Sequence, residues 1–277
     1  MKNLLVFSID DNYVEPFIVA IKSFSLKHDV NKYTVGLLYN RISRKNIEKI
    51  EIFFGSIGLE VELIKIKDIF INFKTGYHFN SVIFYRLLIP EVFHHHEKSI
   101  YIDSDMIFLG NIDLLFEIDL KDYVIGAVSR GDKFDIPLHM KHVTNTYFAS
   151  SLLLINHNNF KYKQIYKKCI YFLKNFNYEM PDQDALNYAI ADEYIYWIAS
   201  NFGVLTHQEG FDKKKLDGVN ILQFSGKQKP WQYGNEHPCR EMYLEIWSKT
   251  PLYNRRFIFK DYTFRKLKAI KKRIYNA

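Results

Sequence analysis

The stretch SIYIDSDMIFLGNIDLLF, residues 99–116, sets two aspartates, Asp103 and Asp105, inside a run that otherwise reads as buried. Ser99–Ile102 has the apolar and aromatic character of a short strand, and apolar residues resume at Met106. In an extended chain residues two apart project to the same side, so both carboxylates are expected on one face and Ser104 on the other. Paired carboxylates repel unless a proton or a cation intervenes. A hard divalent ion such as Mn²⁺ or Mg²⁺, which prefers oxygen donors, is the natural occupant. Asp-x-Asp alone is a common pattern of solvated loops, and it is the apolar flanks that argue for a site.

Outward from this stretch, apolar runs alternate with helix-period segments. Leu4–Ile9, Thr34–Tyr39, Val61–Ile66 and Ser99–Ile102 read as strands. Between them Phe17, Ile21 and Phe24 share one helical face, as do Ile47, Ile50 and Phe54. Ile83, Leu87 and Val92 suggest a third helix, broken near Pro90. This order implies a mostly parallel sheet covered by helices. Such sheets bind ligands outside the carboxyl ends of their strands, which places Asp10 and Asp11 on the same rim as Asp103. Later strands are expected at Val124–Ser129, Tyr147–Asn156 and Val219–Phe224, with helices around Ile165–Phe176 and Asp182–Ala191.

The 277 residues, 48% hydrophobic and 17% aromatic, can bury a full core. Two cysteines suit a reducing compartment better than a disulfide framework. The amino terminus has no signal-peptide pattern and no apolar run approaches a membrane span, so a cytoplasmic protein is expected. The net charge of +7 is carried by the last 27 residues, where nine Lys or Arg face a single acid, Asp261. A basic tail gives little reason to expect nucleic-acid binding by the domain. Residues 1–250 are therefore read as one α/β domain and 251–277 as a basic amphipathic extension. In the extension Phe264, Leu267, Ile270 and Ile274 fall at helical offsets, a pattern suited to the anionic surface of a membrane. The run His94–His96 reads as a polar connector, because neighbouring side chains on a loop diverge.

A cation at Asp103 and Asp105 would suit a diphosphate, yet glycine-rich phosphate loops are missing: no GxGxxG follows the first strand, and GxxxxGK[ST] does not occur. Phosphate charge would have to be met by metal and by side chains such as Arg86 and Lys229.

Six blocks together settle a resemblance: SIDDNYVEPFIVAIKSF, FYRLLIPEVF, IYIDSDMIFLGNIDLLF, YFASSLLLIN, PDQDALNYAI and FSGKQKPW. In their order and spacing the chain resembles glycosyltransferase family 8, in particular its bacterial lipooligosaccharide α-galactosyltransferases. The resemblance implies a GT-A type, Rossmann-like nucleotide-sugar-binding domain with a mixed, mostly parallel sheet, and Mn²⁺-dependent, retaining transfer of a hexose from a UDP-sugar to a glycan or glycolipid acceptor. By the same resemblance Ser8, Asp10, Asn12 and Tyr13 would hold uracil and ribose, and Asp103 and Asp105 the metal, with Ser104 between them. Lys229, with Gly226 before it, would pair with the diphosphate, and Trp231 would also belong to the donor-binding residues. Arg86 and Asp182 would hold the donor sugar, and Gln183 would lie beneath its anomeric carbon. Work on the cytoplasmic face of the inner membrane, in lipooligosaccharide, lipopolysaccharide or capsule assembly, is also implied.

Three departures stand out. Gln223 occupies the position of the family's third metal ligand, a histidine. Ala149-Ser150-Ser151 replaces Asn-Ala-Gly or Asn-Ser-Gly in the sugar pocket, and Arg130, with Asp132 two places on, stands where relatives carry a sugar-binding acid. These raise the alternative of a degenerate member that binds a sugar nucleotide or glycan without turnover. A neutral amide at Gln183 is a poor nucleophile, so retention is expected to proceed by front-face attack without a covalent intermediate.

Overall fold

A computed structural model describes residues 2–67, 69–75, 80–129, 136–190, 194–207 and 210–275, with side chains as far as Lys268. Its centre is a seven-stranded sheet of order β3-β2-β1-β4-β7-β6-β8. The strands are β1 (Asn3–Ser8), β2 (Tyr33–Tyr39), β3 (Glu60–Lys65), β4 (Lys98–Ile102), β6 (Ile125–Ser129), β7 (Phe148–Asn156) and β8 (Ile195–Ile198). Only β7 runs against its neighbours, whereas β3-β2-β1-β4 and β6-β8 pair in parallel. The sheet is therefore mixed and mostly parallel, as the sequence pattern predicts.

Buried strands read as continuous apolar runs, and β1 and β2 are buried along nearly their whole length. Helix α1 (Val14–Ser25) presents Phe17, Ile21 and Phe24 to one layer of the core, where α2 (Arg44–Ile57) adds Ile50 and Phe54. On the opposite face α6 (Ile165–Asn175) and α7 (Pro181–Ile190) pack with Phe84, Tyr85 and Phe93. A second sheet of three strands, β5 (Met106–Phe108), β10 (Ile221–Gln223) and β9 (Val204–Leu205), lies beside the first. It packs with α8 (Arg240–Trp247) through Tyr243, Ile246 and Trp247.

Two expectations need correction. Residues Ser81–Leu88 form 3-10 turns, followed by the short α3 (Ile89–Val92). Pro90 lies in the first turn of α3, where a missing N–H costs no intrahelical bond, so it starts a helix instead of breaking one. The strand expected over Val219–Phe224 shrinks to Ile221–Gln223 and belongs to the smaller sheet, paired with β5.

The basic extension forms α9 (Arg255–Tyr275), and its first half is docked. Asp261, 1% exposed, accepts from Gly234 N at 2.6 Å and pairs with Arg240 at 2.8 Å and Arg265 at 3.0 Å. Phe264 lies so close to Gly234 that a Cβ there would overlap the ring, and Gly234 has φ +69, so the docking site requires glycine. Phe259, Tyr262 and Leu267 remain exposed. The side chains of Ile270 and Ile274, and all of Arg130 and Asp132, lie outside the described residues. Among the described residues no helix is long and apolar enough to cross a membrane.

Candidate active site

The rim where β1 and β4 end gathers residues from distant parts of the chain. Because β7 runs antiparallel, it begins where β4 ends, and Ile102 faces Leu152. Ser150 and Ser151 thus arrive beside Asp103, and Asp103 N donates to Ser151 O at 2.9 Å. Helix α7 opens at the same rim, bringing Asp182 and Gln183.

Asp103 and Asp105 do not lie on an extended strand. The chain turns at Ser104 and Asp105 as it leaves the large sheet for β5 in the small one, where Met106 faces Gln223. The expected sidedness survives the turn: Ser104 is buried and both carboxylates keep partial exposure.

Around Asp103 a buried network closes. Arg86, 5% exposed, donates to Asp103 Oδ1 at 3.0 Å, to Ser150 O at 2.7 Å and to Ser150 Oγ at 2.9 Å. It also pairs with Asp182 Oδ2 at 3.0 Å, and its guanidinium lies 4.4 Å from the centre of the Tyr101 ring. Ser150 Oγ donates to Asp182 at 2.7 Å, and Ser150 N donates to Gln183 Oε1 at 3.1 Å. Burial by itself would depress the Arg86 guanidinium, but the Asp103 and Asp182 charges outweigh it and hold it firmly protonated. For Asp103 burial leads the other way: it lifts the carboxyl to about 6 against the pull of Arg86, with Asp105 adding repulsion. Tyr101 OH also donates to Asp103 at 2.7 Å, and Ser8 Oγ lies 3.1 Å from that phenol. Tyr101 was not anticipated from sequence, although its position two before Asp103 on a strand was the available signal.

Asp105 faces a second group. Lys229 Nζ donates to Asp105 Oδ2 at 2.7 Å and to Phe224 O at 2.6 Å. Gln223 Nε2 donates to Asp105 Oδ1 at 3.2 Å, and Ser151 Oγ donates to Gln223 Oε1 at 2.9 Å. A half-turn of the Gln223 amide would aim its oxygen at Asp105 and leave the nitrogen to donate to Ser151 Oγ. Two carboxylates and an amide oxygen are the donor set of a hard divalent cation, and the Lys229 ammonium already answers the local negative charge. The residues present therefore fit such an ion.

The remaining candidates follow β1 or lie in the loop after β10. Asp10 caps the turn Asp11–Tyr13, accepting from Asn12 N and Tyr13 N, and takes Asn80 Nδ2 at 2.6 Å. Asp11 turns away to the start of α2, accepting from Ser43 N, Ser43 Oγ and Asn46, and the Ser43 backbone bond leads in lowering its pKa. Tyr13 sits edge-on to Trp231 at 6.1 Å. Burial first, then Asp105, Asp103 and Asp10, push its phenol up to about 12. Gly226 adopts φ +88 in the loop that returns toward Lys229. Asn12 is exposed and bonds locally, to Asp10. Asp184, the second acid of PDQDALN, is fully buried and accepts from Tyr147 OH, His139 Nε2 at 2.9 Å, and the Glu179 and Met180 amides. It ties α7 to the segment that precedes β7.

With this geometry in place, the match of residues 4–235 to the family model described as Glycosyl transferase family 8 is decisive. The chain belongs to glycosyl transferase family 8. It is 25% identical over 270 residues to General stress protein A of Bacillus subtilis, covering 89% of this chain and 93% of that one. It is 22% identical over 267 residues to a lipopolysaccharide 1,2-glucosyltransferase of Escherichia coli, covering 90% and 78%. Some relatives are longer: the chain spans 60% of the glycosyltransferase GlyE of Streptococcus pneumoniae. In fold it is similar to the galactosyltransferase LgtC, solved in complex with donor and acceptor sugar analogs, with a TM-score of 0.76, 21% identity and coverage of 93% and 99%. The large mixed sheet is thus the GT-A sheet of this family.

Proposed function

We propose that the chain is a metal-assisted, retaining hexosyltransferase that moves galactose or glucose from a UDP-sugar to a glycan or glycolipid acceptor in surface-polysaccharide assembly. The observation that carries this reading is the convergence of Asp103, Asp105, Arg86, Asp182 and Lys229 at one strand-end rim of a family 8 chain. Its relation to a lipopolysaccharide glucosyltransferase supports the acceptor class.

In this reading Asp103 and Asp105, with the turned Gln223 amide, hold Mn²⁺ or Mg²⁺. Bound there, the ion would supply countercharge to the departing diphosphate. Lys229 exchanges Asp105 for a phosphate oxygen, and Gly226 lets its loop approach. Tyr13 and Trp231 enclose the uracil, with Ser8, Asp10 and Asn12 toward the ribose. Arg86 and Asp182 present a buried, fixed polar wall to sugar hydroxyls, where preorganised groups cost no reorganisation during reaction. Gln183 lies on that wall with its oxygen accepting from Ser150 N, a posture for orienting an anomeric carbon and a poor one for attacking it. Front-face attack by the acceptor hydroxyl, its proton passing to a phosphate oxygen, then retains configuration.

A panel of UDP-sugars with Mn²⁺, scored by UDP release with and without glycan acceptors, tests the proposal. Release from UDP-galactose or UDP-glucose is expected. Tight UDP-sugar binding without release from any donor would favour the second reading, a non-catalytic sugar-nucleotide binder. One observation leans that way, since Lys229 and Gln223 already satisfy both oxygens of Asp105.

The same proposal places the protein on the cytoplasmic membrane face through α9. Exposed Phe259, Tyr262 and Leu267 lie among exposed Arg255, Arg256, Lys260, Lys266 and Lys268, a mixture of apolar and cationic side chains that can rest on an anionic lipid surface. Removing the tail would also leave Arg240 buried without Asp261, so the clean test replaces those five cations with Gln. Weaker pelleting with anionic vesicles is expected, and equal pelleting contradicts it.

A further inference from the structure

The histidine run His94–His96 forms the turn that leads into the amino end of β4, whereas Asp103 follows the carboxyl end of that strand. Five residues of strand separate them, about 17 Å at 3.3 Å per residue. The expectation that neighbouring imidazoles diverge fails for two of the three. The His95 and His96 rings have their centres 4.6 Å apart, and one nitrogen from each, with a Glu62 oxygen, lies within 4.8 Å of the others. Among the described residues no other group of three or more His, Cys, Asp or Glu side chains meets in this way.

The local fold explains the meeting. Gly36 on β2 leaves a notch in the sheet that the Phe93 ring fills so closely that a Cβ would overlap it. With Phe93 anchored, His96 N donates to Phe93 O at 2.9 Å and closes a tight turn over the sheet. Glu62 stands on β3 directly beside Gly36 in the ladder, so its carboxylate rises next to that turn. His96 is buried, Glu62 partly so and His95 exposed, which leaves one open side.

We propose that Glu62, His95 and His96 form a second metal site, for a borderline divalent transition ion and Zn²⁺ above all. Two imidazoles and a carboxylate are a three-ligand zinc set that leaves the fourth position to water. On a tetrahedral Zn²⁺ with Zn–N of about 2.0–2.1 Å, ring centres fall about 5 Å apart, close to the separation seen here. Ligand atoms in such a shell are about 3.3 Å apart, and a small rotation of exposed His95 closes the remaining gap. Imidazole selects this ion over Mn²⁺ and Mg²⁺, so the two ends of β4 sort metals by donor type. The bound ion clamps the turn before β4 to edge strand β3.

The test is Zn²⁺ stoichiometry on the untagged full-length chain stripped by chelator, with Co²⁺ visible absorption reporting geometry. One equivalent with a tetrahedral Co²⁺ band is expected, retained in Asp105→Asn and His94→Ala and lost in His95→Ala and Glu62→Gln. Saturating Zn²⁺ should raise the thermal midpoint of the wild type by roughly 5 °C and leave His95→Ala unmoved. Because His95 is exposed, that variant should fold normally. Absence of Zn²⁺ binding, or binding lost in Asp105→Asn and kept in His95→Ala, would overturn the site. None of these readouts depends on glycosyl transfer.

Discussion

The two sides of the candidate site are built by opposite means. On the side of β7 and α7, Arg86, Asp182, Gln183 and Ser150 are all buried and bonded to one another, so the polar wall exists before any ligand arrives. On the β1 side Asn12 is exposed and Tyr13, its phenol covered, still leaves 37% of its surface to solvent, and their backbone is held by a small cap at Asp10. The difference teaches which half is fold and which is surface. Under the proposed function the rigid side would face the sugar, whose hydroxyls must be discriminated, and the open side a flat base, which needs only an edge and a ring.

The largest effect is expected at Arg86. Arg86→Met removes the cation shared by buried Asp182 and partly buried Asp103 and should cost about 3–5 kcal/mol of stability along with turnover, read by denaturant unfolding. A variant as stable as the wild type would mean that the wall is not preorganised. On the Asp105 side, Gln223→His should tighten Mn²⁺ binding about tenfold by titration calorimetry, since imidazole is the stronger donor. Unchanged affinity would place residue 223 outside the coordination shell. On the open side, Tyr13→Ala should leave stability nearly untouched and raise KM for the donor by up to about tenfold with kcat preserved. A fall in kcat instead would show that the open half also shapes the reaction.

The smallest effect concerns acid. Burial, with Lys229 and Arg240 nearby, lowers His237 from its ordinary 6.5 to about 4, and its Nδ1 accepts from Cys239 N at 3.1 Å. The unfolded chain therefore takes up this proton before the folded one does. The stabilisation is full above pH 6.5 and drains away as pH falls toward 4, amounting to about 1 kcal/mol lost at pH 5.5. The loss of urea stability between pH 7 and 5.5 should be about 1 kcal/mol smaller in His237→Gln than in the wild type, and an equal loss in both proteins would contradict this.

Much of the frame was legible in sequence because it is periodic. The runs at Leu4–Ile9 and Thr34–Tyr39 match β1 and β2 almost residue for residue, and the Phe17, Ile21 and Phe24 face lies in the core. What stayed hidden has no local period. β9, two residues long, is too short to register, and residues 81–88 wind as 3-10 turns although their apolar spacing imitates a helix. Asp261 reads as a stray acid among cations, yet it is the buried staple of α9, and its only sequence signal is Arg265 four residues on. At the site the carboxylate pair was visible, but Ser151-Gln223-Asp105 and Arg86-Ser150-Asp182 join segments that meet only because β7 reverses direction. The His95 and His96 pairing depends likewise on Phe93 settling over Gly36, a contact between distant elements.

The most direct test of the central claim is titration calorimetry of UDP into the wild type and Asp105→Asn, each with and without Mn²⁺. The account predicts that Mn²⁺ tightens UDP binding to the wild type about tenfold or more, and that a normally folded Asp105→Asn loses this enhancement. Equal Mn²⁺ enhancement in both proteins would contradict it.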